Sequence, residues 1–445
     1  MTDASGDVSG FAAILDPMPG YQRLALIKHG QLTDIWINDL SDKMPAYGSI
    51  FMARITSIFP EHNRVQLNIG QMGMASMRVA NMRGSKSGTF TAGALIPVTV
   101  QAEPREQKPA QMRHGIIRET RFAIIHHVPD TSGQLHLSQR LKAGLANQQA
   151  SELMDAIDTL RALALTHQCQ ITLRESALHH PIDMVVANIL AHVKALDHVV
   201  AESKIITTQG ILAPALSLAQ IAEQHVQPEH IRIDHDGRQW ADADIDQQID
   251  IALSPSLPIP EGGILHISTP PGAAVIDGDS GTSRLSPDAL ASAMITPLAR
   301  QIQLRRIAGA IVVDFPRMDH AGKDHIHQTM LDECGNDPLR PICYGWTKGG
   351  LYTLDRRHQR RPLSDVLDWH KVPAKHAAIA ALRQLWQSGQ SGQNKDSGNK
   401  NGLPPRLHLT QSMQDWLNGD GRAIYDAVCA DLPLPLPPEW INVQP

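Results

Sequence analysis

Two aspartates, Asp277 and Asp314, stand where short runs of apolar, mostly β-branched residues end. Runs of this length and composition are typical of strands that are buried on both faces of a sheet. Two carboxylates held close together repel each other, so such a pair needs a cation or a shared proton. Magnesium suits the pair because it takes one or two protein carboxylates, keeps several waters and binds substrate phosphates. Asp279 would point the same way as Asp277 and could hold a water of the metal.

The segment between the two aspartates has the features of a helix. Ser286 followed by Pro287 predicts an N-cap with proline at the first helical position. Apolar residues then recur every four positions, at Leu290, Met294, Leu298 and Ile302. Gly309 stops the pattern. Because Pro297 lies inside it, we expect a kink or two short helices.

A strand–helix–strand unit favours parallel strands, whose carboxyl ends share one edge of the sheet. Ligands usually bind at that edge, so Asp277 and Asp314 should meet there. Aspartates also commonly end strands and begin turns. The spacing alone therefore leaves a metal site and ordinary strand ends as equal alternatives.

Composition bounds the class of protein. A chain of 445 residues is long enough for two to four domains. With 42 % hydrophobic residues and 19 % charged residues, it reads as a globular protein, and we find no apolar run of membrane-spanning length. Residues 1–20 lack the basic start and apolar core of a signal peptide.

The four cysteines are never spaced as CxxC, which indicates free thiols in a reducing compartment. We expect a cytoplasmic protein.

Charge is distributed unevenly. The net charge of −5 argues against a general nucleic-acid coat protein. Two basic clusters could nevertheless neutralise phosphates, or form solvated surfaces. They consist of Arg300, Arg305 and Arg306, and of Arg356, Arg357, Arg360 and Arg361.

Earlier segments predict β structure. The apolar runs on either side of His29-Gly30 predict a hairpin with these two residues at its turn. Short strands predicted at 47–60, 65–70, 74–79 and 95–100 suggest a small barrel.

Two motifs resemble the catalytic core of the ribonuclease E/G family of bacterial endoribonucleases. Residues 276–280, Ile-Asp-Gly-Asp-Ser, are similar to that family's Ile-Asp-(Val/Ile)-Asn-(Ser/Thr). Residues 299–315, Ala-Arg-Gln-Ile-Gln-Leu-Arg-Arg-Ile-Ala-Gly-Ala-Ile-Val-Val-Asp-Phe, are close to its Ala-Arg-Gln-Leu-Arg-Leu-Arg-x-Leu-Gly-Gly-Ile-Ile-Val-Ile-Asp-Phe. The resemblance implies that Asp277 and Asp314 hold a catalytic Mg²⁺, with Mn²⁺ as a possible substitute. It also implies that Asp279 takes the place of a supporting asparagine.

The resemblance implies a function and an architecture. The function is cleavage of single-stranded RNA, in the processing or decay of rRNA or mRNA, to 5′-phosphate and 3′-hydroxyl ends. The architecture is an α/β (α+β) multidomain chain that contains an RNase H-like scaffold, an OB-fold barrel, a 5′-sensor region and a DNase I-like catalytic domain. The boundaries we expect are a disordered 1–20, a scaffold split between 21–45 and 209–268, a barrel at 46–122, a sensor at 123–208, a catalytic domain at 269–375, and a flexible linker with a proline-rich tail at 376–445.

Several positions depart from the family pattern. Gln66 and Ser76 stand where the resemblance places RNA-stacking phenylalanines, and loss of stacking should weaken RNA binding. Lys108 aligns near a basic loop, although an ordinary surface lysine is an equal reading. Arg174 matches a 5′-phosphate-binding arginine, but its threonine neighbour is replaced by Glu175, so we expect 5′-monophosphate sensing to be weakened or lost.

The resemblance assigns RNA contacts to two arginines of the later region. Arg340 aligns with a second sensor arginine, and Arg356 is retained from a Gly-Leu-(Leu/Val)-Glu-Met-(Ser/Thr)-Arg motif. Residues 360–380 contain no cysteine, so the family's Cys-Pro-x-Cys zinc link between subunits should be absent, and any homo-oligomer should form without it. We interpret His320, His325 and His327 as surface residues, because a spacing of two separates side chains on a helix.

Two alternatives remain open. The chain could be a non-catalytic RNA-binding or ribosome-associated relic of the family, since Ala291 and Ala293 stand near positions where the family has asparagine and glutamate. It could also be a metal-dependent DNA nuclease, a reading that depends only on analogy of fold.

Overall fold

The computed structural model describes residues 10–81, 90–106, 108–127, 132–147, 151–367, 371–390, 406–432 and 439–442. The chain forms two compact units. We call Lys43–Leu216 the inserted unit, and Met1–Asp42 together with Ser217–Pro445 the split unit.

In chain order the strands are β1 (Phe11–Asp16), β2 (Tyr21–Lys28), β3 (Gln31–Asp39), β4 (Ile50–Phe59), β5 (Arg64–Asn68), β6 (Met74–Arg78), β7 (Leu95–Ala102), β8 (Ala110–His114), β9 (Ile116–Glu119), β10 (Ala123–His127), β11 (Gln134–Leu137), β12 (Gln170–Leu173), β13 (Gly210–Ala213), β14 (Ile231–Ile233), β15 (Ser256–Pro258), β16 (Ile264–Ser268), β17 (Ala273–Asp279), β18 (Gly309–Asp314), β19 (Ile342–Trp346), β20 (Tyr352–Arg356), β21 (Arg406–Leu409) and β22 (Glu439–Asn442).

The helices are α1 (Gln139–Asn147), α2 (Ser151–Thr166), α3 (Ile182–Ser203), α4 (Leu218–His225), α5 (Arg238–Asp242), α6 (Ile245–Leu253), α7 (Pro287–Leu304), α8 (His320–Asn336), α9 (Leu363–Leu367), α10 (Pro373–Gln390), α11 (Gln411–Asn418) and α12 (Arg422–Asp431).

The inserted unit contains a closed five-stranded barrel. Its strands follow the order β4-β5-β6-β8-β7, and pairing of β4 with β7 closes the ring. Alternate side chains such as Val65 and Leu67 are fully buried in the barrel, as expected for strands with one face inside. The predicted small barrel is confirmed, and β8 supplies a strand that the sequence patterns did not predict. Strand β13 adds to β4, so residues 210–213 belong to the inserted unit and not to the scaffold that we expected to begin at 209.

A second sheet of the inserted unit, in the order β11-β12-β10-β9, packs with α2 and α3. In α3 the buried residues recur at spacings of four, four and three, at Val185, Ile189, Val193 and Leu196. This stripe makes α3 a core helix of the unit. By length and composition alone α3 could also cross a membrane, so our statement that no segment has that character is wrong for this helix.

In the split unit, β2 and β3 form the predicted hairpin. His29 and Gly30 both have positive φ, 49° and 73°, which is the conformation that a tight two-residue hairpin turn requires. The sheet continues through β1 to β14. Residues 11–16 therefore form a central strand, and the expectation that 1–20 is disordered is wrong for them. Residues 1–9 lie outside the described part of the chain. The pairing partner of β1 in the parallel direction is β14, more than two hundred residues later.

The described residues 376–390 and 406–432 of the C-terminal region are folded, contrary to the flexible tail expected at 376–445, whereas most of the expected linker, 391–405, lies outside the described residues. Helices α10, α11 and α12 bury a common core with Met18 and Tyr21 near the N-terminus. Leu417 and Ile424 are fully buried in this core. Proline-rich composition led to the wrong prediction because the apolar residues of 406–432 find their partners far away in sequence.

The proposed catalytic residues lie on a six-stranded sheet of the order β15-β16-β17-β18-β20-β19. Helices α7 and α8 cover one face of this sheet and share its core. We expected a kink or two short helices at Pro297; helix α7 is continuous through this proline, so the break into two helices does not occur. The buried side chains that flank this proline, Ile295 and Leu298, hold the helix against the sheet on both sides of it.

Candidate functional site

Asp277 and Asp314 lie side by side at the ends of neighbouring strands. Strands β17 and β18 are parallel, and the two aspartates are direct partners in their register. Adjacent strands are about 4.8 Å apart, so the two side chains project from neighbouring points of the same edge. The structure thus confirms the juxtaposition that the strand–helix–strand pattern predicted.

The two carboxylates lie on the open face of the sheet. Along β17, Val275, Asp277 and Asp279 are exposed, whereas Ile276 is fully buried beneath the helices. The expectation of strands buried on both faces is therefore wrong, because β-branched residues such as Val275 fill the open face as well. Among the described residues, neither Asp277 nor Asp314 has a side-chain hydrogen bond or ion pair.

Such a pair fits a hydrated divalent cation. No group of three histidine, cysteine, aspartate or glutamate side chains among the described residues is placed to hold a metal ion. A cation at this edge would therefore be held by two carboxylates and complete its shell with water and substrate oxygens. Magnesium has this preference, whereas structural zinc requires four protein ligands.

Gly278, which lies between Asp277 and Asp279, allows β17 to approach its neighbours closely. A Cβ atom at Gly278 would lie 3.0 Å from the sulfur of Met294 on α7 and 3.1 Å from the carbonyl oxygen of Asp314. The close packing fixes β17 against both the helix and β18. Ser286 begins α7 by accepting a hydrogen bond from the Ala289 N–H, which confirms the predicted cap.

Asp279 has a role in the turn that follows β17. Its Oδ1 accepts a hydrogen bond from the Gly281 N–H at 3.0 Å. Asp279 is exposed on the same face as Asp277, two residues or about 6.7 Å further along the strand, and could contact a metal-bound water.

Sequence reasoning did not find a histidine that lies beside this pair. His266 on β16 is the direct partner of Asp277 and is exposed on the same open face. Its Nδ1 lies 3.1 Å from the Ser256 hydroxyl on β15, so the four strand neighbours Ser256, His266, Asp277 and Asp314 form one row. The alternation of apolar and polar residues in 265–268 is the sequence signal that would have placed His266 on this face.

Arg356 is buried inside the protein. Its guanidinium binds both oxygens of Asp337, with Nε 2.6 Å from Oδ2, and also donates to the Ile307 carbonyl oxygen. The side chain is 5 % exposed. This geometry contradicts the expectation that Arg356 binds RNA, because every nitrogen of the group already has a partner inside the protein.

The other arginines of the two clusters are largely structural. Arg305 donates to the backbone carbonyls of Ser254 and Ile251, and burial lowers its pKa to about 10. Arg306 donates to the carbonyl of Ile35. Arg360 and Arg361 pair with aspartates of the split unit, Asp34 and Asp42.

The predicted 5′-phosphate contacts lie in different units. In the inserted unit, Arg174 forms an ion pair with Glu119 and donates to the Thr120 carbonyl oxygen at 3.1 Å. The Glu119 carboxylate is thus bound to the arginine to which the resemblance assigned the RNA phosphate. Glu175 directly follows Arg174 and begins a short 3-10 helix. In the split unit, Arg340 is exposed and has a positive φ of 48°.

The barrel carries a basic pocket of about 380 Å³. Its lining includes four residues that are or can become cationic, namely His62, Arg64, Arg78 and Lys108, and contains no carboxylate. Arg64 and Arg78 are cross-strand partners, and both side chains are exposed. Lys108 lies at the turn between β7 and β8. The pocket is therefore locally positive, although the net charge of the whole chain is −5.

One of the two positions expected to carry aromatic residues, Ser76, lines this pocket. Gln66 and Ser76 are direct cross-strand partners on β5 and β6. Ser76 is 4 % exposed and accepts a hydrogen bond of 2.6 Å from the Gln111 side chain. A polar contact between strands thus replaces the stacking surface.

The three histidines after Asp314 differ in exposure. His320 and His325 are exposed on α8, as predicted. His327 is half-buried, and its Nδ1 lies 3.0 Å from the Tyr352 hydroxyl, so our interpretation as a surface residue is wrong for it.

The fold and the site define a multidomain protein of mixed α and β structure, with a closed OB-like barrel and a pair of carboxylates at a sheet edge. A family model described as "Ribonuclease E/G family" matches residues 139–359, which include both aspartates. Ribonuclease E of Synechocystis sp. is 32 % identical over 126 residues, which are 26 % of this chain and 18 % of the relative. Ribonuclease E of Nostoc sp. is 31 % identical over 126 residues, with the same coverage.

A ribonuclease E/G-like protein of Pyropia yezoensis is 29 % identical over 131 residues, which are 28 % of this chain and 26 % of that protein. The chain belongs to the ribonuclease E/G family. The matched segments span only 18–26 % of the length of these curated relatives.

Proposed function

We propose that this chain is a metal-dependent endoribonuclease that cleaves single-stranded RNA, and that Asp277 and Asp314 form its active site. The observation that carries the proposal is the register of β17 and β18, which makes the two aspartates direct neighbours on an open face. Family membership supports a nuclease. Neither carboxylate has a polar partner among the described residues, so both are available to a cation and its waters.

The proposed reaction is hydrolysis of a phosphodiester bond. Water attacks phosphorus, the bond from phosphorus to the 3′ oxygen breaks, and that oxygen takes up a proton, which leaves 5′-phosphate and 3′-hydroxyl ends. Asp277 and Asp314 would hold Mg²⁺, or Mn²⁺ in its place, and the bound ion would lower the pKa of a water and neutralise charge on the phosphate. The open face leaves room for an extended RNA strand to reach this edge.

The barrel pocket supports RNA as the substrate. Arg64, Arg78 and Lys108 can neutralise successive phosphates of a strand, and this electrostatic contribution does not depend on sequence. Since Gln66 and Ser76 offer no aromatic ring, we propose that the barrel binds RNA mainly through charge. Binding of this kind weakens steeply with salt.

The domain assignments refine this proposal. We propose that the sheet β14-β1-β2-β3 belongs to an RNase H-like scaffold and that the six-stranded sheet belongs to a DNase I-like catalytic domain. The ion pair of Arg174 with Glu119 supports a reaction that does not depend on the 5′ end of the RNA.

The test is cleavage of a labelled single-stranded RNA by the full chain with Mg²⁺, with Mg²⁺ plus EDTA, and with an Asp314→Asn variant. Asp355→Asn is a matched control. Asp355 lies on the neighbouring strand β20 and pairs with Ala310, which is four residues before Asp314 on β18, so the same substitution is made on the same sheet but away from the pair. We expect cleavage that requires both the metal and Asp314 but survives in the control. The products should carry 5′-phosphate ends.

The opposite result would favour the second candidate function. If the wild type and Asp314→Asn bind RNA equally and neither cleaves it, the chain is an RNA-binding relic of the family. Cleavage of single-stranded DNA at the same rate as RNA would instead contradict the choice of substrate.

A further inference from the structure

Two cysteines and a tyrosine form a cluster on the helix-covered side of the six-stranded sheet. Cys334 lies on α8 and is buried, whereas Cys343 lies on β19 and is half-buried. The Sγ atom of Cys343 is 4.0 Å from the carbonyl oxygen of Met330, one helical turn before Cys334. In an α-helix the carbonyl oxygen of Met330 faces the N–H of Cys334, four residues later. The two cysteines therefore meet at one point of the contact between α8 and β19, and both belong to the core cluster of this sheet.

A histidine and a tyrosine place polar groups near the pair of cysteines. Tyr352 is fully buried, and its hydroxyl lies 3.0 Å from Nδ1 of His327. Tyr352, Cys334 and Cys343 all belong to the core cluster of the six-stranded sheet, which is otherwise largely apolar. The paired His327 and Tyr352 thus place polar groups in the surroundings of the two thiols. The proposed hydrolysis uses none of these four side chains.

The two thiols differ in acidity. A hydrogen bond from Cys334, supported by one from Tyr352, lowers the pKa of Cys343 to about 7 against the opposing effect of burial. The hydrogen bond to Cys343 and burial together raise the pKa of Cys334. A thiol with a pKa near neutrality is a nucleophile, because the thiolate is the reactive form. The other two cysteines behave differently, since burial raises the pKa of both Cys169 and Cys429.

We propose that Cys343 and Cys334 form a site of reversible thiol oxidation, in which Cys343 reacts first and Cys334 resolves the product into a disulfide. The oxidant is hydrogen peroxide. The Cys343 thiolate attacks one peroxide oxygen, the O–O bond breaks, and Cys343 becomes a sulfenic acid while water leaves after protonation. The Cys334 thiol then attacks the Cys343 sulfur, a sulfur–sulfur bond forms, and a second water leaves. Two electrons pass from the two thiols to the peroxide.

The site lies beside the strand that carries Asp314. Tyr352 is the strand partner of Val313, and its ring centroid is 6.1 Å from that of Phe315, the residue after Asp314. A disulfide would tie α8 to β19 on the face opposite the carboxylates. The proposal itself concerns the thiol chemistry and does not depend on the nuclease activity.

The experiment treats the folded full chain with hydrogen peroxide, alkylates the remaining thiols and maps disulfides by mass spectrometry. We expect a cross-linked pair of peptides that contain Cys334 and Cys343, reversed by dithiothreitol. In the Cys334→Ser variant, Cys343 should be trapped as a sulfenic acid by dimedone. Cys169→Ser and Cys429→Ser are controls that should leave the cross-link unchanged.

A second measurement keeps the test independent of how the variants fold. The rate at which iodoacetamide modifies each cysteine of the wild type is followed between pH 5 and pH 10. Cys343 should react with a midpoint near pH 7 and at least tenfold faster at pH 7 than Cys169. Equal rates at these two cysteines, or a random mixture of disulfides like that of the urea-unfolded chain, would overturn the proposal.

Discussion

Arg356 and Asp337 form a two-pronged ion pair beneath the six-stranded sheet, with Nε to Oδ2 at 2.6 Å and Nη2 to Oδ1 at 3.3 Å. Their side chains are 5 % and 7 % exposed. A charge buried this deeply is tolerated only with its partner, because desolvation of an isolated ion is costly. The pair joins β20 to the end of α8 and so supports the sheet that carries Asp277 and Asp314.

Removing one partner of this pair should destabilise the fold. We expect Asp337→Ala to lower the free energy of unfolding by about 3–5 kcal/mol, since Arg356 would stay buried without a counter-charge. Urea unfolding followed by circular dichroism measures the change. Asp426→Ala is the control, because the ion pair of Asp426 with Arg422 is exposed and should contribute little. Equal effects of the two variants would contradict a structural role for Arg356.

The ion pair of Glu119 with Arg174 predicts how the chain treats RNA ends. Because Glu119 occupies the guanidinium, the wild type should cleave 5′-monophosphorylated and 5′-triphosphorylated RNA at similar rates. Glu119→Gln removes the competing charge, so this variant should gain a preference for the monophosphate. The measurement is the ratio of kcat/KM for the two substrates.

Asp158→Asn is a suitable control for that experiment. Asp158 also pairs with an arginine of the inserted unit, Arg161, but at an exposed helix position. It should leave the ratio unchanged. A strong preference for the monophosphate in the wild type would show that Glu119 does not block the arginine.

The barrel pocket predicts a charge-dependent RNA affinity. Arg78→Ala should weaken binding of single-stranded RNA and reduce the slope of log affinity against log salt by about 0.7, the value for one phosphate contact. Fluorescence anisotropy at several salt concentrations gives both quantities. Arg161→Ala removes a positive charge of the same unit away from the pocket and should change neither. An unaltered slope in Arg78→Ala would remove the pocket from the RNA path.

The missing aromatic residue can be restored. Gln66→Phe should strengthen RNA binding by about 1–3 kcal/mol, the contribution of stacking one base, with little change in the salt slope. Gln66→Leu adds apolar surface without a flat ring and serves as the matched control. If both variants bind equally tightly, the gain comes from apolar contact and not from stacking.

Acid should destabilise the inserted unit through His126. Burial lowers the pKa of His126 to about 4, and its Nε2 lies 3.0 Å from the His114 carbonyl oxygen. Between pH 6.5 and pH 4 the unfolded chain binds the proton more readily, so stability falls as the pH falls through this window and is constant above it. The loss due to this residue should be on the order of 1–3 kcal/mol.

Urea unfolding at pH 7 and at pH 4.5 measures this contribution. His126→Gln keeps a hydrogen-bond donor without a titrating group, so it should lose less stability than the wild type over the same interval. The exposed His320→Gln variant should behave like the wild type. If wild type and His126→Gln lose the same stability, another group causes the acid sensitivity.

Local patterns in the sequence determined the elements that carry the site. Two apolar runs, each ending in aspartate, and a capped helix between them were enough to predict parallel strands with Asp277 and Asp314 at one edge. The turn at His29-Gly30 and the small barrel followed from the same kind of short-range signal. These features are predictable because backbone conformation and strand alternation depend on neighbouring residues.

Tertiary structure alone decided which side chains are available for chemistry. Arg356 and Arg174 read as free cations in the sequence, yet their partners Asp337 and Glu119 lie 19 and 55 residues away. His266 is placed beside Asp277 only by strand register, and β1 pairs with β14 across about half of the chain. The physical reason is that burial, pairing of charges and strand register depend on contacts between distant segments, which no local pattern encodes.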